Sequence, residues 1–284
     1  MRLPEWIRTK NPRRLHDTKR ILRRYGLATV CEEARCPNVS ECFLKPTAAF
    51  MIMGSRCTRN CGFCSVKSSL PEPLDHDETV RVGIAARELG LSYVVITSVT
   101  RDDLPDGGAG HFARTVSAVR RYAPGAKVEV LTPDFNGAES SIDTVLRARP
   151  DVFNHNVETV PRLYSSVRPL ADYQRSLSLL AYIKKTAPGI QIKSGLMLGL
   201  GEKLHEVIGV LRDLRDTGCD IVTIGQYLRP MKANIPVVEY IEPAIFERLR
   251  LTALSMGFTY AASAPLVRSS MNAEEMYNNE DTKI

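Results

Sequence analysis

The sequence predicts an α/β fold built on a mostly parallel sheet, and three features predict it. From Phe50 onward, short apolar, β-branched runs alternate with longer stretches of helical periodicity. Six such pairs follow one another along the chain. The polar, chemistry-bearing motifs fall just after the apolar runs, where the loops of parallel α/β folds carry function. Repeats of this length close into a full or partial barrel or spread into a doubly wound sheet, and periodicity leaves that choice open.

The expected strands are Phe50–Met53, Tyr93–Thr97, Lys127–Leu131, Val152–Asn156, Gln191–Leu198 and Asp220–Ile224, each a short apolar or β-branched run. Helical spacing of apolar residues is expected at Glu78–Leu89, Gly110–Tyr122, Glu139–Ala148, Asp172–Thr186, Leu204–Asp216 and Pro243–Ser255. Several of these end at chain-breaking stops, such as Gly90, Ala123-Pro124-Gly125 and Ala187-Pro188-Gly189. Residues 1–48 and 263–284 flank the repeats as N- and C-terminal extensions of a core at 49–262. The polar stretch Glu274–Ile284 is expected to fray.

With 284 residues, 44% of them hydrophobic, the chain can bury a substantial core as one large domain. The opening MRLPEWIRTKNPRR carries charges and prolines where a signal peptide needs an apolar run, and no later stretch approaches a membrane span. A cytoplasmic protein with no membrane partner is expected. In that reducing compartment the seven cysteines are read as metal ligands or free thiols rather than disulfides. The net charge of +6 is concentrated early, at Arg2, Arg8, Lys10, Arg13, Arg14, Lys19, Arg20, Arg23 and Arg24. Such a face either is merely solvated or attracts an acidic protein. No aromatic stacking pattern accompanies it, so no nucleic-acid partner is expected.

Cys57-Thr-Arg-Asn-Cys61-Gly-Phe-Cys64 follows the first strand with spacing C-x3-C-x2-C. Three thiolates this close can wrap one metal centre, and on a four-iron cube they leave one iron for a small chelating molecule. Structural zinc wants four ligands, usually as two spaced pairs. Upstream lies Cys31-Glu-Glu-Ala-Arg-Cys36-Pro-Asn-Val-Ser-Glu-Cys42, spaced C-x4-C-x5-C. Buried apolar cysteines would scatter through the core strands, so a second cluster is the economical reading. Cys219, alone at the start of the sixth strand, reads as a buried small residue without a role.

The first triplet, with an aromatic residue before its last cysteine, resembles the radical S-adenosylmethionine (SAM) superfamily. Both triplets together are similar to the lipoyl synthase family, as are PEWIR near the start, VVITSVTRDDLPDGGA at 94–109, FNHNVETVPRLY at 153–164, SGLMLGLGE at 194–202, IGQYLRP at 224–230 and PLVRSS at 265–270. The resemblance implies a partial (βα)6 TIM-like barrel of the radical SAM type. It implies two 4Fe-4S clusters, one on Cys57, Cys61 and Cys64 that binds SAM, the other an auxiliary cluster on Cys31, Cys36 and Cys42. Arg268-Ser269-Ser270 resembles the family's R-S-S-Y, whose serine oxygen is the auxiliary cluster's fourth ligand; the family pattern favours Ser270, and Met271 stands where the tyrosine is expected.

Period-two alternation would place Asn154, Asn156 and Glu158 on one face and His155 on the other. Three polar residues in register at a strand's carboxyl end line a pocket more readily than a core, and the resemblance implies contact with SAM or substrate. Gly195-Leu-Met-Leu-Gly199-Leu-Gly201-Glu202 contains a weak G-x-G, and is similar to the superfamily strand that supports adenine, with Gly199 at its centre. Gly107 and Gly108 sit in a turn-rich loop where the superfamily often binds the methionine amino group; Ala109 replaces the usual glutamate. Tyr227, after the sixth strand, is the last candidate for the nucleoside pocket.

The implied activity is insertion of two sulfur atoms, at C6 and C8, into a protein-bound octanoyl-lysine, with the auxiliary cluster as sulfur donor and no catalytic acid or base among the side chains. The hard chemistry is the cofactor's. Implied partners are octanoylated lipoyl carrier domains of 2-oxoacid dehydrogenases and the glycine cleavage H protein, an electron donor such as ferredoxin or flavodoxin, and iron-sulfur assembly proteins. Two alternatives differ: a sulfur-inserting enzyme for a free small molecule, as biotin synthase is, lacks the upstream triplet and terminal serine, and an electron carrier is normally small and four-cysteine-ligated.

Overall fold

In the first of two units, Thr9–Asn60 with Ser65–Phe153, the apolar runs become the strands β1 (Ala28–Thr29), β2 (Ala49–Ile52), β3 (Tyr93–Ser98) and β4 (Lys127–Leu131), side by side in that order, with β5 (Val152–Asn154) next to β4. β1 runs antiparallel to β2, with Ala28 opposite Met51. The others are parallel: Ala49 pairs with Val95 and Tyr93 with Lys127. This is a computed structural model, and it describes residues 3–7, 18–43 and 48–278.

Helices α1 (Glu78–Glu88), α2 (Ala109–Tyr122) and α3 (Glu139–Arg147) belong to the same unit. α2 turns Phe112, Thr115, Val116 and Val119 inward, all fully buried, and packs on β3 and β4. That spacing of three and four residues is one helical face. Each fully buried Phe or Val contributes about 1.5–3 kcal/mol relative to exposure. α1 meets α2 at Gly83, where a Cβ would come within 2.7 Å of the Ala118 carbonyl.

The second unit comprises Met1–Arg8, Cys61–Cys64 and Asn154–Ile284. Its strands β6 (Gln191–Leu198), β7 (Ile221–Gln226) and β8 (Tyr260–Ser263) are parallel, Lys193 pairing with Ile221 and Tyr260 with Ile221 on the other side. Before them, residues 155–158 run alongside β6: His155 N donates to Lys193 O and Glu158 N to Gly195 O. Helices α4 (Tyr173–Thr186), α5 (Leu204–Asp216) and α6 (Pro243–Ser255) complete it. α4 packs on β6, and α6 on β7, β8 and α5.

All six expected strands and six expected helices are present, most within two residues of the expected bounds. β1 and β8 were not expected, and the tail contains a helix at Ala273–Tyr277 where fraying was expected. β5 ends at Asn154, and Glu158, four residues on, takes φ +65°, left-handed backbone that an extended strand does not have. Cys219 is buried, its thiol donating towards the Ile192 and Ile221 carbonyls. Of the early basic residues, Arg2, Arg8, Lys10, Arg13 and Arg14 lie outside the described residues; Lys19, Arg20, Arg23 and Arg24 lie on a helix, Thr18–Arg24. Lys19 pairs with Glu32 at 3.3 Å and Arg24 with Glu88 at 2.5 Å. Among the described residues no helix is long and apolar enough to cross a membrane.

Candidate cluster-binding site

In the first unit the upstream triplet is carried on two single-turn helices, Val30–Glu33 and Val39–Cys42. Thr29 starts the first of them, its hydroxyl accepting from Glu32 N at 3.4 Å. Cys36 N then donates to Cys31 O at 3.0 Å and Cys42 N to Asn38 O at 2.9 Å, which folds the three cysteines back on one another. Burial, and after it the neighbouring thiols Cys36 and Cys42, push the Cys31 thiol up to about 12. The thiols of Cys36 and Cys42 thus lie near enough to act on the charge of Cys31. An iron centre removes that repulsion by neutralising the thiolates, so this donor set fits a cluster. Ser65, which follows the second triplet, donates its hydroxyl to Glu33 O at 2.5 Å.

Cys57 belongs to the same unit and ends a two-residue strand, Arg56–Cys57, paired with Lys67–Ser68. Its sulfur accepts two backbone N–H groups, from Arg59 at 3.4 Å and from Thr100 at 3.3 Å. Such donors suit a cluster-bound thiolate. Beside it stands a network that sequence reasoning did not single out. Arg59, about 5% exposed, donates Nε and Nη2 to Asp102 at 2.8 and 2.9 Å, Nη1 and Nη2 to Asp134 at 3.0 and 2.7 Å, and Nη2 to Asn136 at 2.8 Å. Burial opposes the charge on Arg59, and Asp102 and Asp134 more than offset it. Burial would likewise raise Asp102, yet Arg59, Thr58 and Asn136 hold its carboxyl below the usual carboxylate range. The signal was present but non-local: a charged residue inside a cysteine loop, and the polar run Thr132-Pro-Asp134-Phe-Asn136-Gly directly after a strand.

Gly107 and Gly108 take φ of +60° and +89°, which a side chain resists. A Cβ on Gly108 would meet the Met53 thioether at 2.4 Å, and one on Gly107 the Phe135 ring at 3.0 Å. Gly107 N donates to Leu104 O, and Gly108 N to the Asp106 carboxylate at 2.9 Å. Met53 itself has φ +67° at the end of β2, and its N–H donates to the buried Glu78 carboxylate at 2.8 Å. His111 Nε2 meets the same carboxylate at 2.8 Å. Glu78 and His111 were also missed; nothing in their sequence context separates them from surface helix residues.

In the second unit, Cys61–Cys64 is anchored through its backbone. Asn234 Nδ2 donates to Gly62 O at 3.2 Å and Cys64 O at 2.7 Å, Ile235 N donates to Gly62 O, and Gly62 N to Val167 O. Phe63 and Ile235 pack against the buried cluster of Val167, Leu200 and Tyr227. Burial opposes the charge on Arg168, while Tyr164, Glu158 and Cys61 raise its pKa. Its guanidinium donates to Asn156 O at 2.9 Å and Val157 O at 3.2 Å.

The polar strand end is tied to the tail of the same unit: Asn154 Nδ2 donates to Ser269 Oγ at 3.0 Å, and Ser269 Oγ donates to Asn156 Oδ1 at 3.1 Å. Asn154 and Asn156 therefore share a face, and His155 points elsewhere, to Ser176 Oγ at 3.0 Å. Burial pushes the Glu158 carboxyl up, with Arg168 and Asn156 pulling the other way. Gly199, at φ +98°, has its close approach taken by protein: a Cβ would lie 2.1 Å from Gln226 Nε2 and 2.5 Å from Glu239 O. Its N–H donates to Glu202 at 2.5 Å. Tyr227 is buried and its hydroxyl donates to Ile235 O at 2.8 Å, which leaves the ring as its contribution to any pocket.

None of the six triplet cysteines is in a disulfide, and each is partly exposed. Among the described residues, no three His, Cys, Asp or Glu side chains close on a single metal ion.

A family model for the radical SAM superfamily matches residues 51–214. Similar chains named "Lipoyl synthase" include those of Caldanaerobacter subterraneus subsp. tengcongensis, 55% identical over 275 residues covering 96% of both chains, and Rubrobacter xylanophilus, 53% identical over 274 residues covering 96% of this chain and 85% of that one. That of Bordetella pertussis is 50% identical over 279 residues, 97% of this chain and 84% of the other. Among solved structures, the hydrogenase maturase HydG matches with TM-score 0.58 at 13% identity, over 74% of this chain and 49% of that one. Coproporphyrinogen III oxidase HemN from Escherichia coli, described as a radical SAM enzyme, matches with TM-score 0.55 at 12% identity, over 73% and 52%. At these identities the solved structures speak for the fold class alone.

Proposed function

The chain belongs to the lipoyl synthase family of radical SAM enzymes, and from that premise we propose that Cys57, Cys61 and Cys64 hold the SAM-binding 4Fe-4S cluster while Cys31, Cys36, Cys42 and Ser270 hold the auxiliary one. Its fold class is the α/β partial barrel of the radical SAM type. It is a sulfurtransferase that inserts two sulfur atoms, at C6 and C8, into the octanoyl-lysine of a lipoyl carrier domain. When bound, SAM and its cluster supply a radical able to take hydrogen from an unactivated carbon, and the auxiliary cluster supplies the sulfur.

The protein's part is placement and protection. The observation that carries the assignment of the auxiliary site is the backbone bond from Cys36 N to Cys31 O, which returns one cysteine of the triplet to another, with Cys36 and Cys42 both acting on the Cys31 thiol. The Ser269 hydroxyl is engaged by Asn154 and Asn156, which supports its neighbour Ser270 as the ligand. For SAM we assign the turn of Gly107 and Gly108 to the methionine end, their N–H groups being taken by Leu104 O and the Asp106 carboxylate. Asn154, Asn156 and Glu158 would hold polar groups of SAM or substrate; the backbone beside Gly199, whose Cβ side is covered by Gln226 and Glu239, and the Tyr227 ring would border the nucleoside. Residues 1–48 then form the extension carrying the auxiliary cysteines, 49–262 the barrel and 263–284 the tail with the serine. Carrier domains of 2-oxoacid dehydrogenases and the glycine cleavage H protein are the substrates in this reading, with a ferredoxin or flavodoxin as electron donor and assembly proteins rebuilding the spent cluster.

Substituting each triplet separately tests the division of labour. Cys57, Cys61 and Cys64 changed together to Ala should abolish SAM cleavage and leave one cluster visible by Mössbauer spectroscopy. Cys31, Cys36 and Cys42 changed to Ala should keep cleavage measurable and stop sulfur insertion. Loss of cleavage alone in both variants, or insertion surviving in either, would sink the assignment.

A further inference from the structure

We infer that Arg59 is a positioning residue for the Cys57 thiolate: its guanidinium ties the loop after Cys57 to the carboxyl ends of β3 and β4, so that two backbone N–H groups stay aimed at the sulfur. This rests on Cys57 being a cluster ligand. Both N–H donors to Cys57 Sγ belong to segments that the network holds. One is Arg59's own. The other is Thr100, two residues before Asp102, and Thr58 locks that stretch by donating N–H and hydroxyl to Thr100 O at 3.1 and 3.0 Å. The Thr58 hydroxyl also lies 3.1 Å from both Asp102 Oδ2 and Asp102 N.

The geometry requires an arginine. Asp102 and Asp134 each accept from two guanidinium nitrogens, and Asn136 takes a further bond from Nη2. Asn136 Nδ2 closes the ring by donating to Asp102 Oδ1 at 3.0 Å. A lysine keeps the charge but cannot fill a planar fork between two carboxylates. Asp134 sits in a loop of unusual backbone, with φ of +47° at Phe135 and +51° at Asn136, and its carboxylate also accepts Asn136 N at 3.1 Å. A left-handed pair of bulky and polar residues persists only where the surroundings hold it. Core stability does not require such a device, since a buried ion pair adds little over well-packed apolar residues. Its location explains it: the fork joins three loops at a residue whose own N–H donates to the ligand sulfur. With its guanidinium turned to Asp102, Asp134 and Asn136, Arg59 acts on the cluster through Cys57.

Hydrogen bonds to cluster sulfurs help set the reduction potential, and the groups that orient ligands are part of that control. Each N–H aimed at Cys57 eases reduction of the cluster it ligates. Loosening the fork should make that cluster harder to reduce while the auxiliary cluster, in the same molecule, serves as an internal reference.

The test is an EPR-monitored redox titration of reconstituted holoenzyme carrying Arg59→Lys, alongside Asp102→Asn at the partly exposed rim of the network. Both should keep wild-type iron content and circular dichroism. The potential of the SAM-binding cluster should move to a more negative value, that of the auxiliary cluster should stay, and SAM cleavage without carrier should slow at least tenfold. An unchanged potential in a folded Arg59→Lys protein overturns the inference. If Arg59→Lys does not assemble, Asp102→Asn decides by the same shift or its absence. A Cys57→Ala protein that retains the SAM-cluster signal would instead overturn the ligand assignment, an outcome distinct from failure of the fork.

Discussion

Gly225→Ala probes how the tail that carries Ser270 is held. Gly225 lies in β7, and a Cβ there would stand 2.2 Å from the Val267 carbonyl oxygen and 3.1 Å from the Arg268 guanidinium. The tail crosses the strand at this point: Gln226 N donates to Pro265 O at 3.1 Å, Ala264 N to Ile224 O at 3.1 Å, and Arg268 Nη1 to Val267 O at 2.6 Å. An added methyl must push Val267 away by about 1 Å to reach ordinary contact. Overpacking of this kind costs about 1–3 kcal/mol, which lowers Tm by roughly 2–12 °C for a chain of this size. Because Val267 is three residues from Ser270, the displacement should reach the serine oxygen. The assay is the rate at which a chelator strips iron from reconstituted protein, read beside Tm and SAM cleavage. Iron loss from the auxiliary cluster should accelerate several-fold with carrier-free SAM cleavage nearly intact. Gly209→Ala is the control, since that helical position is open and the change should stabilise by about 0.5–1 kcal/mol. A lowered Tm with auxiliary iron lost at the wild-type rate would refute the link between this contact and the ligand.

Ser269→Ala removes the bridge between Asn154 and Asn156 and should cost about 1–3 kcal/mol, at about 0.5–1.5 kcal/mol per hydrogen bond, measured by denaturant unfolding of the cluster-free protein. Ser270→Ala should leave that stability within about 0.5 kcal/mol and show its defect only as a labile auxiliary cluster; the reverse pattern moves the ligand to Ser269. Asp151 accepts from Val128 N at 2.8 Å, Arg120 at 2.6 Å and Lys127 at 3.2 Å, and these hold its carboxyl below the usual range against the pull of burial. A depressed folded pKa means stability that is present above the unfolded value of about 3.9 and lost as pH falls through the folded one. Asp151→Asn should therefore lower Tm at pH 7, and the gap to wild type should narrow below about pH 4; a gap constant with pH would remove Asp151 from the acid response.

The repeating strands and helices were legible because each buries a continuous apolar run or one helical stripe, and these periods are local. β8, the run Tyr260-Ala-Ala-Ser263, was not legible: small residues carry little β signal, and the strand is defined by pairing with β7. β1 is two residues long and exists through its antiparallel bonds to β2. The left-handed backbone at Met53, Phe135 and Glu158 had no sequence mark, since none is a glycine or asparagine. The two cysteine triplets were legible from spacing alone. The Arg59 fork was not, because its carboxylates lie 43 and 75 residues away in sequence. Gly199 was read as room for a flat ring, whereas Gln226 and Glu239 already occupy the close approach that excludes a Cβ there.

Sulfur insertion by this chain has two halves: two sulfur atoms reach a carrier-bound octanoyl chain, and both come from the chain's own auxiliary cluster. Mass spectrometry of an octanoylated carrier domain, after incubation with SAM, reductant and enzyme whose clusters were built with isotopically heavy sulfide, measures both halves at once. The product should carry two heavy sulfurs per octanoyl group, limited to one product per enzyme when no other sulfide is supplied. A carrier that gains no sulfur while SAM is cleaved, or that gains only light sulfur, would contradict it.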